Sequence, residues 1–586
     1  MNLDQEKRVM LAFALSFAML MVWRIFFVKE PPPQPKKAPT ATATATTAPR
    51  EAGAAKPLGK PARIAARVPA AALPVTQGSK AEEIVVENKH YRVTLSTEGA
   101  VVKSWALKGY QDAKGQLLDT VNGAACQTLG FPMSLDLTDP ALKAQVNEAL
   151  YVVKAAKPGA SKEPVPLTGS SLSPPLDLLF TYSNGKIQVQ KQFSFGETYD
   201  VKVTVSVFDG QHDLPVEVAW PGGFGDHTVA PSVADSRIQA VYGAVGDLNK
   251  LAMSKVKEER TIPGPLQLAG LEDKYFVDIF LPDAPEQVAL RVFRHQWSPP
   301  DWTEKEKPAP LAALLAETQS KPLAFRLFVA PKDLDVLRAE SPPLDSLVDF
   351  GWFTVVAKPL FIMLRYIYDH WIHNYGWAII FLTVLINLAM FPLKIKSLRS
   401  AQEMQKVAPI IKGIQDKYKS YKFNDPRKQK MNEEVMKVYS EHGINPLGGC
   451  LPMLLQMPIL YGFYRVLDLA IELRHAPWIW WVKDLSAPDG LPFMGHSIPI
   501  LVILMTIASF IMQKMTPMAT ADPAQQRMMM LMPLFFAFMF YRLASGMVLY
   551  WLTSSVVQIL QQMAINRLIP PPTPLPVARK PAEAKA

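Results

Sequence analysis

Uncharged polar side chains recur inside the apolar stretches of the C-terminal part of this chain, and their spacing is helical. Thr383 and Asn387 stand i,i+4 apart within Trp377–Leu393, and Thr506, Ser509 and Gln513 stand i,i+3,i+7 along Ile498–Met512 and just past it. Trp551, Ser554, Ser555 and Gln558 stand i,i+3,i+4,i+7 within Met547–Leu560, and Gln456 is a lone amide in Cys450–Leu469. Each set falls on one face of a helix. These groups are donors and acceptors rather than acids, bases or nucleophiles, so their chemistry is hydrogen bonding where water is scarce. Two arrangements fit. Ser, Thr, Asn and Gln commonly bond helix to helix in membranes, or the faces line one hydrated groove. The groove is favoured because four helices offer polar faces and the last three apolar runs are short. Fourteen residues rise only ~21 Å, against a hydrocarbon core of ~30 Å.

No catalytic signature accompanies them. HExxH, a phosphate-binding GxxxxGK[ST] loop, GxSxG and a dinucleotide glycine fingerprint are all absent. Asp369, His370 and His373 fall at a membrane entrance, where interfacial polarity explains them better than a metal. Arg465 and Asp468, i,i+3 apart and followed by Glu472, suit an interfacial ion pair. Two cysteines in 586 residues exclude a disulfide scaffold and a Cys-rich zinc or iron–sulfur protein. Cys450 opens an apolar run and suits a packed thiol, and Cys126 has no reactive context. No cofactor is expected.

The elements that must position the polar faces follow from composition. Charged residues make up 19% and hydrophobic residues 49%, with a formal charge of +10 and 52 prolines. Val9–Val28 is almost wholly apolar and long enough for one bilayer core. A retained anchor (1–28) fits better than a cleaved signal peptide, because a Pro-rich segment without a convincing cleavage site follows. Residues 29–80 are Pro/Ala/Thr-rich and read as a flexible linker. Within 81–347, alternating runs such as EEIVVEN, HYRVTLS, KIQVQKQFSF, YDVKVTVSVF, LPVEVAW, QVALRVF and LAFRLFVA predict a large antiparallel β-sandwich. Residues 348–370 predict an amphipathic helix at the membrane surface. A core over 371–566 then holds the apolar runs Trp377–Leu393, Cys450–Leu469, Ile498–Met512, Met528–Tyr541 and Met547–Leu560. With the anchor, that makes six spans.

Between the first two of these core runs, 394–449 predicts a helical hairpin. One stripe is Met404, Val407, Ile411, Ile414 and Tyr418, the other Met431, Val435, Val438 and Tyr439, with a turn at Asn424-Asp425-Pro426. Ten Lys and two Arg against six acidic residues put this hairpin in the cytoplasm. Counting spans outward leaves both termini cytoplasmic, with a basic tail at 567–586, and places 29–370 in the periplasm. The basic face of the hairpin suits anionic lipid or RNA, or simply solvent.

Several segments resemble the YidC/Oxa family of membrane protein insertases: NPLGGCLPMLLQMPILYGFYRVLDLAIELRHAP (445–477), WVKDLSAPDG (481–490), IMQKMTP (511–517), ADPAQQRMMMLMP (521–533) and ASGMVLYWLTSSVVQILQQ (544–562). The anchor, Pro-rich tether, large β domain and five further spans resemble its Gram-negative form. The resemblance implies a multidomain membrane protein of the bacterial inner membrane: an all-α five-helix transmembrane core, an N-terminal anchor helix and a periplasmic β-supersandwich related to sugar-mutarotase folds, without implied catalysis. It implies an insertase and chaperone that inserts and folds membrane proteins, alone or with the Sec translocon, through a hydrophilic groove open to cytoplasm and lipid. The implied partners are nascent membrane proteins, Sec components, the ribosome at the hairpin and basic tail, and anionic lipids. Thr383, Gln456 and Trp551 match groove positions, with Tyr550 beside them. The family usually has an Arg where this sequence has Asn387. Asn387 keeps polarity but not charge, and Arg465, nine residues from Gln456, falls on the opposite face of its helix. Hydration and thinning are therefore expected to contribute more here than capture by a groove cation.

Two other classes compete. A secondary transporter would explain polar helix faces, but internal repeats and mid-span acids in the last three runs are missing. An anchored periplasmic carbohydrate enzyme would need convergent carboxylates in 81–347 and would leave five spans unexplained.

Overall fold

The computed structural model describes residues 73–568, apart from 113, 158–170, 229–237, 296, 298–310, 319–320, 420, 422–424, 445–450, 494–495 and 516–522. The candidate anchor, most of the linker, Asn424, Cys450 and nearly all of the basic tail lie outside the described residues.

The N-terminal half is β-rich, in sheets of four, five and nine strands whose named pairs are all antiparallel. Asp200–Phe208 shows why: Val201, Val203, Val205 and Val207 are buried while Lys202 and Thr204 face solvent, the period of a half-covered strand. It sits between Gln188–Phe195 and Leu323–Pro331 in the nine-stranded sheet. Phe276–Pro282 and Leu311–Glu317 are instead buried at every position. Trp105, Trp220, Phe180, Phe193, Phe280 and Phe325 fill the core. Lys191 lies on the inward face of its strand, and its ammonium donates to the carbonyls of Gly99 (2.7 Å), Ala100 (3.2 Å) and Met133 (2.7 Å). Burial pushes Cys126 up to about 12, so its thiol stays protonated.

The C-terminal half is helical: α1 (Thr354–His370), α2 (Tyr375–Lys417), α3 (Pro426–Glu441), α4 (Leu451–Leu469), α5 (Ile500–Met515), α6 (Pro523–Phe540) and α7 (Ser545–Leu568). Asn374 caps α2, accepting from the Trp377 amide, and Asp425 caps α3 with Pro426 at its first position. Among the described residues α2 and α7 are long and apolar enough to cross a membrane, and the apolar lengths of α5 and α6 are shorter. α2 exposes Trp377, Phe381, Leu385 and Leu388 while Thr383 and Asn387 are buried. Polar inside and apolar outside suits a lipid surround.

Two elements differ from the sequence expectation. The first core span and the first hairpin helix are one 43-residue helix, α2, because nothing between Phe391 and Met404 stops it and Pro392 is tolerated within it. The last helix is not short: α7 has 24 residues, since Gln561, Gln562 and Asn566 extend it past its apolar run. The hairpin stripes close on each other through Met404, Val407, Ile411 and Val438, with the Tyr418 hydroxyl donating to Glu434 at 2.6 Å.

The two halves meet beyond the end of α4. Ile471 packs into the core of the β-rich half. Arg474 pairs with Asp226 at 2.5 Å, both nearly buried, and its guanidinium lies over the Tyr275 and Phe276 rings. Lys274 reaches Asp468 at 2.9 Å, closer than Arg465 at 3.8 Å. Arg365 of α1 pairs with Asp335 at 2.6 Å and faces Glu472 at 3.8 Å. Burial raises the Glu472 carboxyl to about 7.

Candidate functional site

Helices α2, α4 and α7 bring seven polar side chains into one network. On α2, Thr383 is fully buried and bonds back to the Ile379 carbonyl at 2.6 Å, the usual way a hydroxyl is satisfied within an apolar helix. One turn on, the Asn387 amide donates to the Thr383 carbonyl (2.9 Å) and to the Ser554 hydroxyl of α7 (3.3 Å). Gln561, two turns beyond Ser554, donates to the Asn387 carbonyl at 2.9 Å. Lys394, two turns beyond Asn387, donates to Asn387 Oδ1 at 2.9 Å and to Gln561 Oε1 at 3.2 Å. On the α4 side, Gln456 donates to the Tyr550 hydroxyl at 3.2 Å. Tyr550 is buried, stacks on Phe463 with centroids 4.3 Å apart, and is hydrogen-bonded to Ser554.

The network thus runs Gln456–Tyr550–Ser554–Asn387 and ends on Lys394 and Gln561. Each buried polar group finds a protein partner, so the bonds also tie three helices together. Its exchangeable donors and acceptors could serve a polar segment passing between the helices.

The other sequence candidates lie differently. Gln513 donates to the Met529 carbonyl of α6, with Ser509 half-buried one turn before it. Thr506 bonds back to Val502 at 2.7 Å. Trp551 packs among aromatics, 4.9 Å from Phe540 and 5.6 Å from Phe536 between centroids. Gln558 is half-buried on α7. Lys394 and Gln561 were missed because both stand beyond the apolar runs. Extending the spacing by seven, from Asn387 to 394 and from Ser554 to 561, finds both. At the α1 end, His370 stacks on Tyr366 and its Nδ1 lies 3.1 Å from the Tyr366 carbonyl. Among the described residues no three His, Cys, Asp or Glu side chains could hold a metal.

Comparison with known proteins adds the following. A family model described as 60Kd inner membrane protein matches residues 367–572, and one described as YidC periplasmic domain matches 83–363. A protein of Pelobacter propionicus named membrane protein insertase YidC is 33% identical over 580 residues, covering 96% of this chain and 99% of that protein. A protein of the same name from Syntrophus aciditrophicus is 32% identical over 579 residues, with the same shares covered. A solved structure titled as an active YidC insertase with its first transmembrane domain resolved is 18% identical. It covers 84% of this chain and 94% of that one, with a TM-score of 0.33.

Proposed function

Since the chain belongs to the YidC family of membrane protein insertases, a family of inner membrane proteins and not of enzymes, we propose that it inserts and folds nascent membrane proteins in the inner membrane. The observation that carries this reading is the polar network on α2, α4 and α7, set inside helices whose outer faces are apolar. A charge at the bilayer centre costs ~2.5–3.5 kcal/mol on insertion scales. Amides and hydroxyls reduce that cost for a polar segment crossing between the helices, and burying the substrate's apolar helix in lipid supplies the drive.

In this reading α2, α4, α5, α6 and α7 are five spans, preceded by an anchor at 1–28. The α2–α3 hairpin and both termini are cytoplasmic, and the β-rich half is a periplasmic supersandwich. Thr383, Asn387, Gln456, Tyr550 and Ser554 line a hydrophilic groove, with Ser509, Gln513, Trp551 and Gln558 toward its rim. The Sec translocon, the ribosome at the basic hairpin, and anionic lipids are the further partners. No cofactor takes part.

The test is depletion of the protein in its own host, with insertion of a small two-span protein followed by protease protection. Insertion should fail on depletion and return with the wild-type gene. It should return poorly with a gene carrying Asn387→Gly and Gln456→Leu together. Normal insertion after verified depletion would overturn the reading.

A further inference from the structure

Helix α1 has two apolar faces, and only one of them is covered. Ala357, Leu364 and Ile367 are buried, whereas Val355, Ile362 and Tyr366, spaced i,i+7,i+11, are exposed, Val355 at 87%. At about 100° per residue, Lys358, Arg365 and Asp369 form a charged strip along one border between the two faces. The short helix Leu334–Ala339 lies against that strip and leaves a cleft of about 260 Å³. Asp335 and Arg338 line it from the short helix, and Ile362, Arg365, Tyr366 and Asp369 line it from α1. The charges in the cleft are ordered. Arg365, in the middle, is taken up by Asp335 at 2.6 Å. Arg338 stands toward the start of α1, because it shares Asp345 with Lys358, at 3.8 and 3.7 Å. Asp369 stands at the other end, 3.8 Å from Arg365. These longer pairs exceed hydrogen-bond length and are partly exposed, so they hold little energy. A cationic end and a carboxylate end thus lie side by side, and the exposed Ile362 and Tyr366 form the rim.

We propose that this cleft binds the headgroup of a zwitterionic phospholipid bearing a primary amine. The phosphate sits on Arg338 and Lys358 in place of the more distant Asp345, the ammonium sits on Asp369 beside Asp335, and the acyl chains run along Ile362 and Val355. Each part of the ligand answers a feature of the site. An uncovered apolar face on an interfacial helix calls for acyl chains. A guanidinium matches a phosphate. Two carboxylates repel a purely anionic headgroup and accept the N–H groups of a primary ammonium, which a quaternary ammonium lacks. The site also lies at the right level. Helix α2, a span in the reading above, begins at Tyr375, and the exposed Trp371 between the two helices meets Phe381 of α2 edge-on at 5.6 Å, as aromatic residues at a membrane surface do. The proposal draws on that membrane placement and not on insertion activity.

The experiment uses full-length protein in detergent. Phosphatidylethanolamine, phosphatidylglycerol and phosphatidylcholine with the same acyl chains are added at equal concentration, and the lipid retained is counted by native mass spectrometry. Phosphatidylethanolamine should be retained about tenfold over each of the others, the worth of one charge-assisted hydrogen bond. Arg338→Gln and Asp369→Asn should each lower its retention about tenfold, and Asp369→Asn should leave phosphatidylglycerol unchanged. Equal retention of the three lipids would show an unselective apolar surface and overturn the proposal, as would a preference for phosphatidylglycerol. Selectivity that survives both substitutions would place the site elsewhere and overturn it too. Glycerophosphoethanolamine, the headgroup without chains, should not displace the lipid at equal concentration; displacement would mean a soluble ligand instead. If a variant fails to accumulate, the wild-type ranking of the three lipids decides. Protein that retains phosphatidylethanolamine but inserts no substrate would count against the insertase reading and leave this one standing.

Discussion

Asp278 and Lys191 are both fully buried titratable groups in the β-rich half; burial pushes both toward their neutral forms, Lys191 down to about 7, but only one of them has hydrogen-bond partners. Lys191 has three carbonyl acceptors. Both carboxyl oxygens of Asp278 lack a hydrogen-bond partner, and burial pushes its carboxyl well above the ordinary range. Asp278 therefore folds protonated. Because its folded pKa is raised, the folded state holds the extra proton, and stability falls as pH rises above the unfolded value near 3.9. Asp278→Leu should raise the urea midpoint at pH 8 by the equivalent of about 1–3 kcal/mol and flatten its pH dependence. A lower midpoint would mean that the carboxyl has a partner in the folded protein. The same distinction explains which site residues the sequence could reveal. Spacing shows that Asn387, Ser554 and Gln513 each lie on a polar face. It does not show which neighbour that face meets, so Gln513 could not be told from Asn387 until α6 was seen beside it. Lys394 was hidden for another reason: a basic residue at the end of an apolar run reads as a topology signal, and only the direction of its side chain makes it part of the network.

At the scale of elements, α2 carries two glycines for which one substitution should act in opposite directions. A Cβ on Gly376 would stand 2.2 Å from Cδ1 of Trp478, whose ring packs edge-on against Trp377 at 5.6 Å, while Gly413 has open space around it. Gly376→Ala should therefore cost about 1–3 kcal/mol through overpacking and shift tryptophan emission. Gly413→Ala should gain about 0.5–1 kcal/mol from helix propensity. Thermal unfolding of the purified protein in detergent checks both, and a loss at 413 would show that the hairpin needs a flexible joint there. Strands were legible where one face is covered, as in Asp200–Phe208, because alternation has no other explanation. Leu311–Glu317 was not, since LAALLAE is covered on both faces, has no period, and is made of helix formers that tertiary pairing overrides. The continuity of α2 escaped for a related reason: a change from apolar to basic residues marks a change of surroundings, not a break in the backbone hydrogen bonds.

At the scale of the whole molecule, the junction beyond α4 links the β-rich half to the helix that carries Gln456. Asp468 lies on α4 and bonds Lys274, while Glu472 and Arg474 follow within one short segment. The carboxylates and bases facing Glu472 are Asp333, Asp335 and Arg365, and burial outweighs them in raising its carboxyl to about 7. For an acid with a raised folded pKa, the docked state holds the extra proton. Its contribution is complete below about pH 4.5, declines as pH rises to about 7 and is absent above, a span worth on the order of 3 kcal/mol. Docking of the β-rich half should thus loosen between pH 5.5 and 8. Hydrogen exchange of the full-length protein, followed at the peptides holding Asp226 and Arg474, should show faster exchange at pH 8 after correction for the intrinsic pH effect. Glu472→Gln should remove most of that difference by keeping the segment neutral at both values. Arg474→Met should raise exchange at both, because it leaves Asp226 buried without its cation. If exchange is equal at the two pH values in the wild type, the Glu472 carboxyl is charged throughout and Arg365 holds it as an ion pair. If Glu472→Gln also leaves the protection of α4 unchanged, the junction fixes the β-rich half without positioning the helix that bears Gln456.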